Sequence, residues 1–430
     1  MFWDRETETL PRPILEQLQL KLLQQTVRRV ADRVPFYKQK LAELGVSPGS
    51  VKSLEDVRRL PFTTSADLRA NYPDGLLAVD RSEPVRLHTS SGTTGKPKAL
   101  FFSRRDVNNA AELIARSLVM TGVGKRDVFQ NMMSYGLFTG GLVMHYGAEK
   151  VGCLVIPSGP GTSERQLMIM QDFGTTALHI LPSYALYFAG FLEKKGIDPR
   201  KELKLRKAFV GAEPHTEETR MRIEEALGCD VYNSYGLTEM NGPGVAFECE
   251  RKAGLHLWED NYLMEIIDPV SGKPVTDGRL GELVLTSLRR EAMPILRYRT
   301  RDMTSIIPEP CSCGRTHRRL NRITGRSDDM LIVRGVNIFP QQIERVLMSS
   351  PQVGRNYVIQ LDGLDDMTIK VELSAAAFDG QVEHLTALQA KLAETLRAEL
   401  WVRPKLELVP AGSLPVAEGK AKRVIDNRCL

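Results

Sequence analysis

The chain has 430 residues, 42% hydrophobic and 26% charged, the make-up of a folded globular protein, which excludes disordered, collagen-like and coiled-coil classes. Its 58 basic and 53 acidic residues leave a net charge of +5 with both signs interspersed, so no nucleic-acid partner is expected. Six cysteines are too few for a disulfide scaffold, MFWDRETETL lacks the apolar stretch of a secretory signal, and the most apolar run, Ala177 to Leu192, is broken by Pro182 and is shorter than the ~20 residues of a membrane span, so a cytoplasmic protein with no membrane contact is expected.

Pro13 to Arg33 read as one amphipathic helix, with Leu15, Leu18, Leu22 and Val27 at helical spacing. From Arg86 to Leu288 short apolar runs such as GCLVIP, TALHILP and KAFVGAE alternate with helical stretches such as SERQLMIMQDF and EETRMRIEEALG. This alternation predicts an α/β fold with a mostly parallel sheet covered by helices. Beyond Gly325 a compact α+β set follows. It has strands at LIVRG, NYVIQL, TIKVELS and KLELV, a helix opened by Pro340, and a helix to Leu400 with Val382, Leu385, Leu388, Leu392 and Leu396 on one face. We set the boundary at Ser327–Asp328, giving a large N-terminal domain (1–327) and a small C-terminal domain (328–430).

Five segments carry chemistry. HTSSGTTGKPK, from His88 to Lys98, combines Gly92 and Gly95 with the hydroxyls of Ser90, Ser91, Thr93 and Thr94 and the charges of Lys96 and Lys98. Glycines let the backbone approach a phosphate, and hydroxyls and ammonium groups donate to it. It is not a Walker loop, because only two residues separate the glycines and Pro97 follows the lysine. YNSYGLTE, ending in Thr238 and Glu239, suits a Mg²⁺–triphosphate: the carboxylate takes the metal and the hydroxyl a phosphate oxygen. In RYRTRD, Asp302 can accept both hydroxyls of a ribose. GRSDDMLIVRGVNIFPQQIE (Gly325 to Glu344) spans the domain boundary, and EGKAKR places Lys420 in the C-terminal loop. Taken singly, the short motifs are also what polar turns and solvated strands look like; order and spacing distinguish them.

In that order and spacing the five segments resemble the adenylate-forming superfamily of acyl-CoA synthetases, adenylation domains and luciferases, and more narrowly its phenylacetate–coenzyme A ligase branch. The narrower likeness rests on SYGLFTGGLVMHYGAEKVG, GLHLWEDNYLMEIIDP, EAMPILRYRTRD and GRSDDMLIVRGVNIFPQQIE. The resemblance implies that ATP converts an aromatic carboxylic acid to an acyl-adenylate, whose AMP the thiol of coenzyme A then displaces after the small domain has moved. It also implies the roles of single residues. Ser90 to Lys98 would be the phosphate loop. Gly211, Ala212 and Glu213 would line the adenine side with Asn233, Ser234, Tyr235 and Gly236. Thr238 would touch phosphate and Glu239 would bind Mg²⁺. Asp302 and Arg326 would hold the ribose, Asp328 would be the hinge, and Lys420 the lysine of adenylation. Tyr135, Phe138 and Gly141, with Gly211 and Tyr235, would form a flat acyl pocket, unless Tyr135 and Phe138 are core residues; Tyr235 would either close that pocket or stack on adenine. The chain departs from the wider superfamily in having Arg301 where Gly usually precedes the ribose aspartate, and Asn337 where Arg or Lys is common; both look like the branch. The resemblance also allows a homodimer. Two other readings stay open, transfer of AMP to a deazaflavin cofactor and loading of a carrier-protein thiol; the intact Lys420, Glu239 and Asp302 argue against a third, an inactive nucleotide sensor.

A last constellation is independent of that chemistry. Cys311 and Cys313 form a C-x-C pair in PEPCSCGRTH, and Cys249 and His256 share another loop with six residues between them. Together they make a Cys₃His set for a closed structural zinc, with His317 in reserve; unpaired thiols are the plain alternative.

Overall fold

A computed structural model describes residues 1–90, 97–334, 336–363, 366–374, 377, 382–415 and 423–428, with the side chains of Asn337 and Val382 excepted. Its contacts divide the chain into two compact units. The first comprises Met1–Ile180, Leu203–Ala212 and Tyr232–Arg322; the second comprises Leu181–Glu202, Glu213–Val231 and Ile323–Leu430. The helices Pro182–Lys194 and Glu217–Leu227, which lie between strands of the first unit in the sequence, thus group with the C-terminal segment.

The first unit is built on a nine-stranded sheet. Four of its strands, Leu154–Ile156, Val128–Asn131, Ala177–Ile180 and Lys207–Gly211, run parallel in that spatial order. Apolar runs rich in Val, Ile and Phe with helical crossovers form such strands because both faces are buried. After them the sheet changes character. Asp230–Leu237 turns back into the antiparallel Gly242–Glu248, and Leu255–Leu257 pairs antiparallel to that. The reversal occurs at Asn241 and Gly242, with φ of 74° and 92°, the left-handed backbone that Asn-Gly pairs adopt readily. The sheet is therefore less parallel than expected, because short turns leave no room for crossover helices beyond residue 237.

Helix boundaries follow local chemistry. The Thr162 side chain caps Ser163–Phe173, Thr216 caps Glu217–Leu227, and left-handed Gly174 and Gly228 end them. Arg12–Arg33 is one helix, but its buried side runs through Leu15, Gln19, Leu23, Thr26, Val27 and Val30, so Leu18 and Leu22 lie at its margin. Gln19 is tolerated there because its amide donates to the Glu259 carbonyl at 2.9 Å.

The residues ahead of that helix are latched to the first unit by buried carboxylates. Glu8, fully buried, takes the Arg315 Nε at 2.7 Å. Glu259, also fully buried, accepts both terminal nitrogens of Arg12 and the Nε of Arg318. Thr316 donates its backbone N–H to the Glu8 carbonyl and its hydroxyl to the Leu10 carbonyl.

The second unit has its own core, including Leu331, Ile343, Leu347, Ile359, Ile369, Leu392 and Leu396. Lys405–Val409, Met367–Leu373, Val353–Leu361 and Val424–Asp426 form one sheet, parallel, antiparallel and parallel in turn. The helix Val382–Leu400 buries Leu392, Leu396 and Leu400 on the expected face. No helix among the described residues is long and apolar enough to cross a membrane.

Candidate active site

Arg86–Ser90 and Lys98–Phe102 pair antiparallel with Ser90 opposite Lys98, so the predicted phosphate loop is the connection of a β-hairpin. Ser91, Gly92, Thr93, Thr94, Gly95 and Lys96 lie outside the described residues. On the near strand, the buried His88 ring hydrogen-bonds through Nδ1 to the Leu137 carbonyl at 3.1 Å. Burial pushes this histidine down to about 4, so the ring is neutral. Its Nε2 and the Ser90 hydroxyl are buried without a partner among the described residues.

The far strand delivers a charge. Lys98 Nζ reaches Glu239 Oε1 at 2.5 Å, and the Tyr298 hydroxyl donates to the same oxygen at 2.8 Å. Glu239 sits in the short turn Thr238–Met240, only 4% exposed. Burial alone would raise its carboxyl; the ammonium of Lys98 more than offsets that and holds it below the usual range. The carboxylate is thus ionised and already accepts a cation, and an anionic oxygen is the ligand a hard divalent ion takes. Thr238 meets Thr139 at 3.3 Å between hydroxyl oxygens.

Around this pair the first unit places several other predicted residues. Tyr235 donates to Asp302 Oδ2 at 2.5 Å, joining two residues assigned to the adenine and ribose sides. The Asn233 N–H is held by Glu248 at 2.7 Å, and the Ser234 hydroxyl donates to the Val210 carbonyl at 3.2 Å. Gly211 is there because nothing larger fits: a Cβ would lie 2.3 Å from the Ser234 carbonyl oxygen. A Cβ on Gly236 would meet the Gly242 carbonyl oxygen at 2.0 Å. Ala212 has φ of 65° and Arg301 φ of 68°. The latter is the left-handed backbone that glycine adopts freely, which gives a physical reason for Gly before the aspartate elsewhere in the superfamily.

Tyr135 and Gly141 converge on Asn131, whose side-chain nitrogen donates to the Tyr135 hydroxyl and the Gly141 carbonyl, both at 2.8 Å. Tyr135 is half-buried and Phe138 is 45% exposed, so neither is a core aromatic.

In the second unit Glu213 accepts from the backbone N–H and hydroxyl of Ser183, at the first turn of Pro182–Lys194. Arg326 grips Asp328 with Nε and a terminal nitrogen, both at 2.9 Å. Asn337 pairs through its backbone with Ile332. Lys420 lies outside the described residues. Arg290 and Tyr298, both touching Glu239, were not singled out from sequence; the partners are too far apart along the chain for any spacing to show them.

The Cys₃His set is assembled. Cys249, His256, Cys311 and Cys313 offer ligand atoms all within 4.8 Å of one another. Cys249 and Cys311 sulfurs are 3.8 Å apart, and Cys313 Sγ is 3.3 Å from His256 Nε2. Two sulfurs at ~2.3 Å from a tetrahedral zinc stand about 3.8 Å apart, so the donors fit that ion. His256 Nδ1 lies 3.3 Å from the His317 carbonyl, which leaves Nε2 for a metal. His317 is not a reserve ligand. Its Nδ1 takes the Glu259 N–H at 2.9 Å and its Nε2 bonds the Thr7 carbonyl at 3.0 Å.

Known proteins match this architecture over its whole length. The AMP-binding enzyme family model matches residues 14–288, and the model for the AMP-binding enzyme C-terminal domain matches residues 335–428. A phenylacetate–coenzyme A ligase of Thermus thermophilus is 45% identical, with all of both chains aligned. That of Pseudomonas putida is 45% identical over 98% of this chain and 96% of its own, and that of Escherichia coli 40% over 98% and 97%. A crystal structure of 2-hydroxyisobutyryl-CoA ligase in the postadenylation state, with R3-HIB-AMP, superposes with a TM-score of 0.94 at 30% identity, over 99% of this chain and 92% of that one. The same enzyme with 2-HIB-AMP and CoA, in its thioesterification state, gives 0.74 over 99% and 92%, again at 30% identity. Family models that span the hairpin, the Glu239 turn and the C-terminal sheet, with relatives alike from end to end, place this chain in the AMP-binding enzyme family, among the phenylacetate–coenzyme A ligases.

Proposed function

We propose that this chain activates an arylacetic acid with ATP and transfers the acyl group to coenzyme A in the cytoplasm, releasing pyrophosphate and then AMP. It is an acid–thiol ligase of the AMP-forming kind; the acid is the open choice. The observation that carries the reading is the 40–45% identity to phenylacetate–coenzyme A ligases over nearly complete chains. That likeness favours coenzyme A as acceptor over a deazaflavin or a carrier protein.

In this reading the first step brings two anions together, the acid's carboxylate and the α-phosphate, and the residues' task is to lower that repulsion. Lys98 would give up Glu239 for the nucleotide, and Glu239 would be the residue to hold Mg²⁺. The metal supplies charge neutralisation on the phosphates. Thr238 and Ser90 offer hydroxyls to the phosphates, Ser91 to Lys96 wrap them, and Asp302 exchanges its bond from Tyr235 for the ribose hydroxyls. Glu213, Ala212 and Gly211 border the base. Arg326 is assigned to the ribose, Asp328 to the hinge, and Lys420 to the adenylation step. The acid lies beside Tyr135, Phe138 and Gly141. The Cys₃His centre holds a structural zinc, because four closed protein ligands leave no open position for substrate.

The test is Lys420→Ala assayed in both half-reactions. Acid-dependent ATP–pyrophosphate exchange should fall by about 10²–10³, the usual cost of one lost donor at such a transition state. Thioester formation from supplied phenylacetyl-adenylate should persist. Equal loss in both steps would reject the assignment. Hexanoate preferred over phenylacetate would reject the aromatic pocket.

A further inference from the structure

We propose that Arg290 is a positioning residue for nucleotide binding: its guanidinium ties the turn carrying Glu239 to the strand that follows the phosphate loop. It thereby fixes where the Glu239 carboxylate stands when the metal–nucleotide arrives. The inference rests on Glu239 being the Mg²⁺ ligand.

Arg290 is 4% exposed; the charges of Asp106 and Glu239 act on it from nearby, but among the described residues none of its nitrogens bonds a carboxylate directly. Instead its two terminal nitrogens donate to backbone carbonyls on separate elements. One goes to Glu239, and the other to Phe101 in Lys98–Phe102, at 3.2 Å. The guanidinium lies over the Phe102 ring, 4.6 Å from its centroid, and Nε is buried without a partner. Burying a cation with an unused donor is costly, and a neutral side chain would fill the same space more cheaply. What the arginine uniquely provides is a rigid fork reaching two carbonyls at once.

The fork is itself held in place. Ser103 and Asp106 form the capping box of the helix Arg104–Val119, directly after the same strand. Asp106 also accepts the backbone N–H of Glu291 at 2.7 Å and of Ala292 at 2.9 Å, and the Ser103 hydroxyl donates to Glu291 at 2.8 Å. The strand leaving the phosphate loop therefore anchors the segment after Arg290, and Arg290 reaches back across Phe102 to the strand and on to the Glu239 turn. The two ends of this clamp are the carbonyls of Glu239 and of Phe101, the latter in the strand that begins with Lys98, the cation paired with Glu239.

The experiment compares Arg290→Met, Arg290→Lys and Glu239→Gln in the full chain. Acid-dependent ATP–pyrophosphate exchange is measured with Mg²⁺ titrated at fixed ATP, beside thermal unfolding. Losing hydrogen bonds from a charged donor should raise the half-saturating Mg²⁺ and the KM for ATP by about 10-fold in Arg290→Met, with KM for the acid within about 2-fold. Arg290→Lys keeps the charge but reaches one carbonyl, so a shift of about 3-fold is expected. A folded Arg290→Met with unchanged Mg²⁺ dependence, or with all constants moving together, overturns the proposal. If Arg290→Met does not fold, Arg290→Lys decides: the ~3-fold shift supports the role and its absence overturns it. Glu239→Gln separates the two readings. If it leaves Mg²⁺ dependence unchanged, the metal-ligand reading fails and this proposal with it; if it alone changes that dependence, only Arg290 is wrongly assigned.

Discussion

Replacing Lys98 by Met isolates the charge of Glu239. The pair is buried on both sides, with side chains 14% and 5% exposed, so solvent does little to screen it. Removing one partner of such a pair typically costs about 3–5 kcal/mol, because the other charge is stranded. Glu239 can escape by taking up a proton. For a carboxyl with an unfolded value of ~4.3, that costs about 3.7 kcal/mol at pH 7 and about 1 kcal/mol at pH 5, which sets the scale at each pH. The signs then differ between the two proteins. In the parent, Glu239 is held low, so its contribution is present above ~4.3 and lost as pH falls through its folded value. In Lys98→Met burial loses the opposing ammonium and outweighs the remaining hydrogen bonds, such as that from Tyr298, so the folded value rises; the penalty is absent in acid and grows as pH climbs past ~4.3. Urea unfolding at pH 5 and pH 7, followed by fluorescence of the fully buried Trp258 in the same unit, should show the stability gap widening by about 2–3 kcal/mol. A gap that differs by less than about 0.5 kcal/mol between the two pH values would refute the buried pair.

Other changes test separate features. Gly211→Ala drives a methyl to 2.3 Å from the Ser234 carbonyl oxygen and should cost about 1–3 kcal/mol in thermal unfolding, with pyrophosphate exchange reduced. At Arg301, whose φ is 68°, a Val substitution should unfold in urea about 1–2 kcal/mol more readily than a Gly substitution; equal stability would deny the strain. Metal analysis of the purified protein should find about one zinc per chain, and a strong chelator or Cys313→Ser should remove it and lower the thermal midpoint. A metal-free protein of equal heat stability would sink the zinc site.

What could be read from sequence was local. Ser163–Phe173 and Glu217–Leu227 announce themselves by Thr before and Gly after. The face of Arg12–Arg33 was misplaced because Gln19 and Thr26 sit where apolar residues are expected, each satisfied by a carbonyl over 200 positions away. The antiparallel half of the large sheet was signalled by Asn241–Gly242, a turn dipeptide that strand–helix counting passes over. The Cys₃His set was legible because metal ligands are few in kind, yet His317 looked equivalent to His256 until both its nitrogens were seen to be engaged. Lys98, Tyr298 and Arg290 around Glu239 show the limit: their joint role is a property of packing, and no spacing encodes it.

The latch on Glu8 bears on how the protein is made. Its arginine lies 307 positions downstream. At ~5–20 residues per second the ribosome delivers that partner roughly 15–60 s after the glutamate, and Arg318 later still. Until then Glu8 has only the backbone N–H groups of Trp3 and Asp4 and lacks its counter-ion, and a carboxylate that ends fully buried must stay in water. This segment, made before its partners, is therefore among the last to be fastened and stays open to proteases throughout that interval. It closes only when the loop bearing Cys311 and Cys313 has folded beneath it.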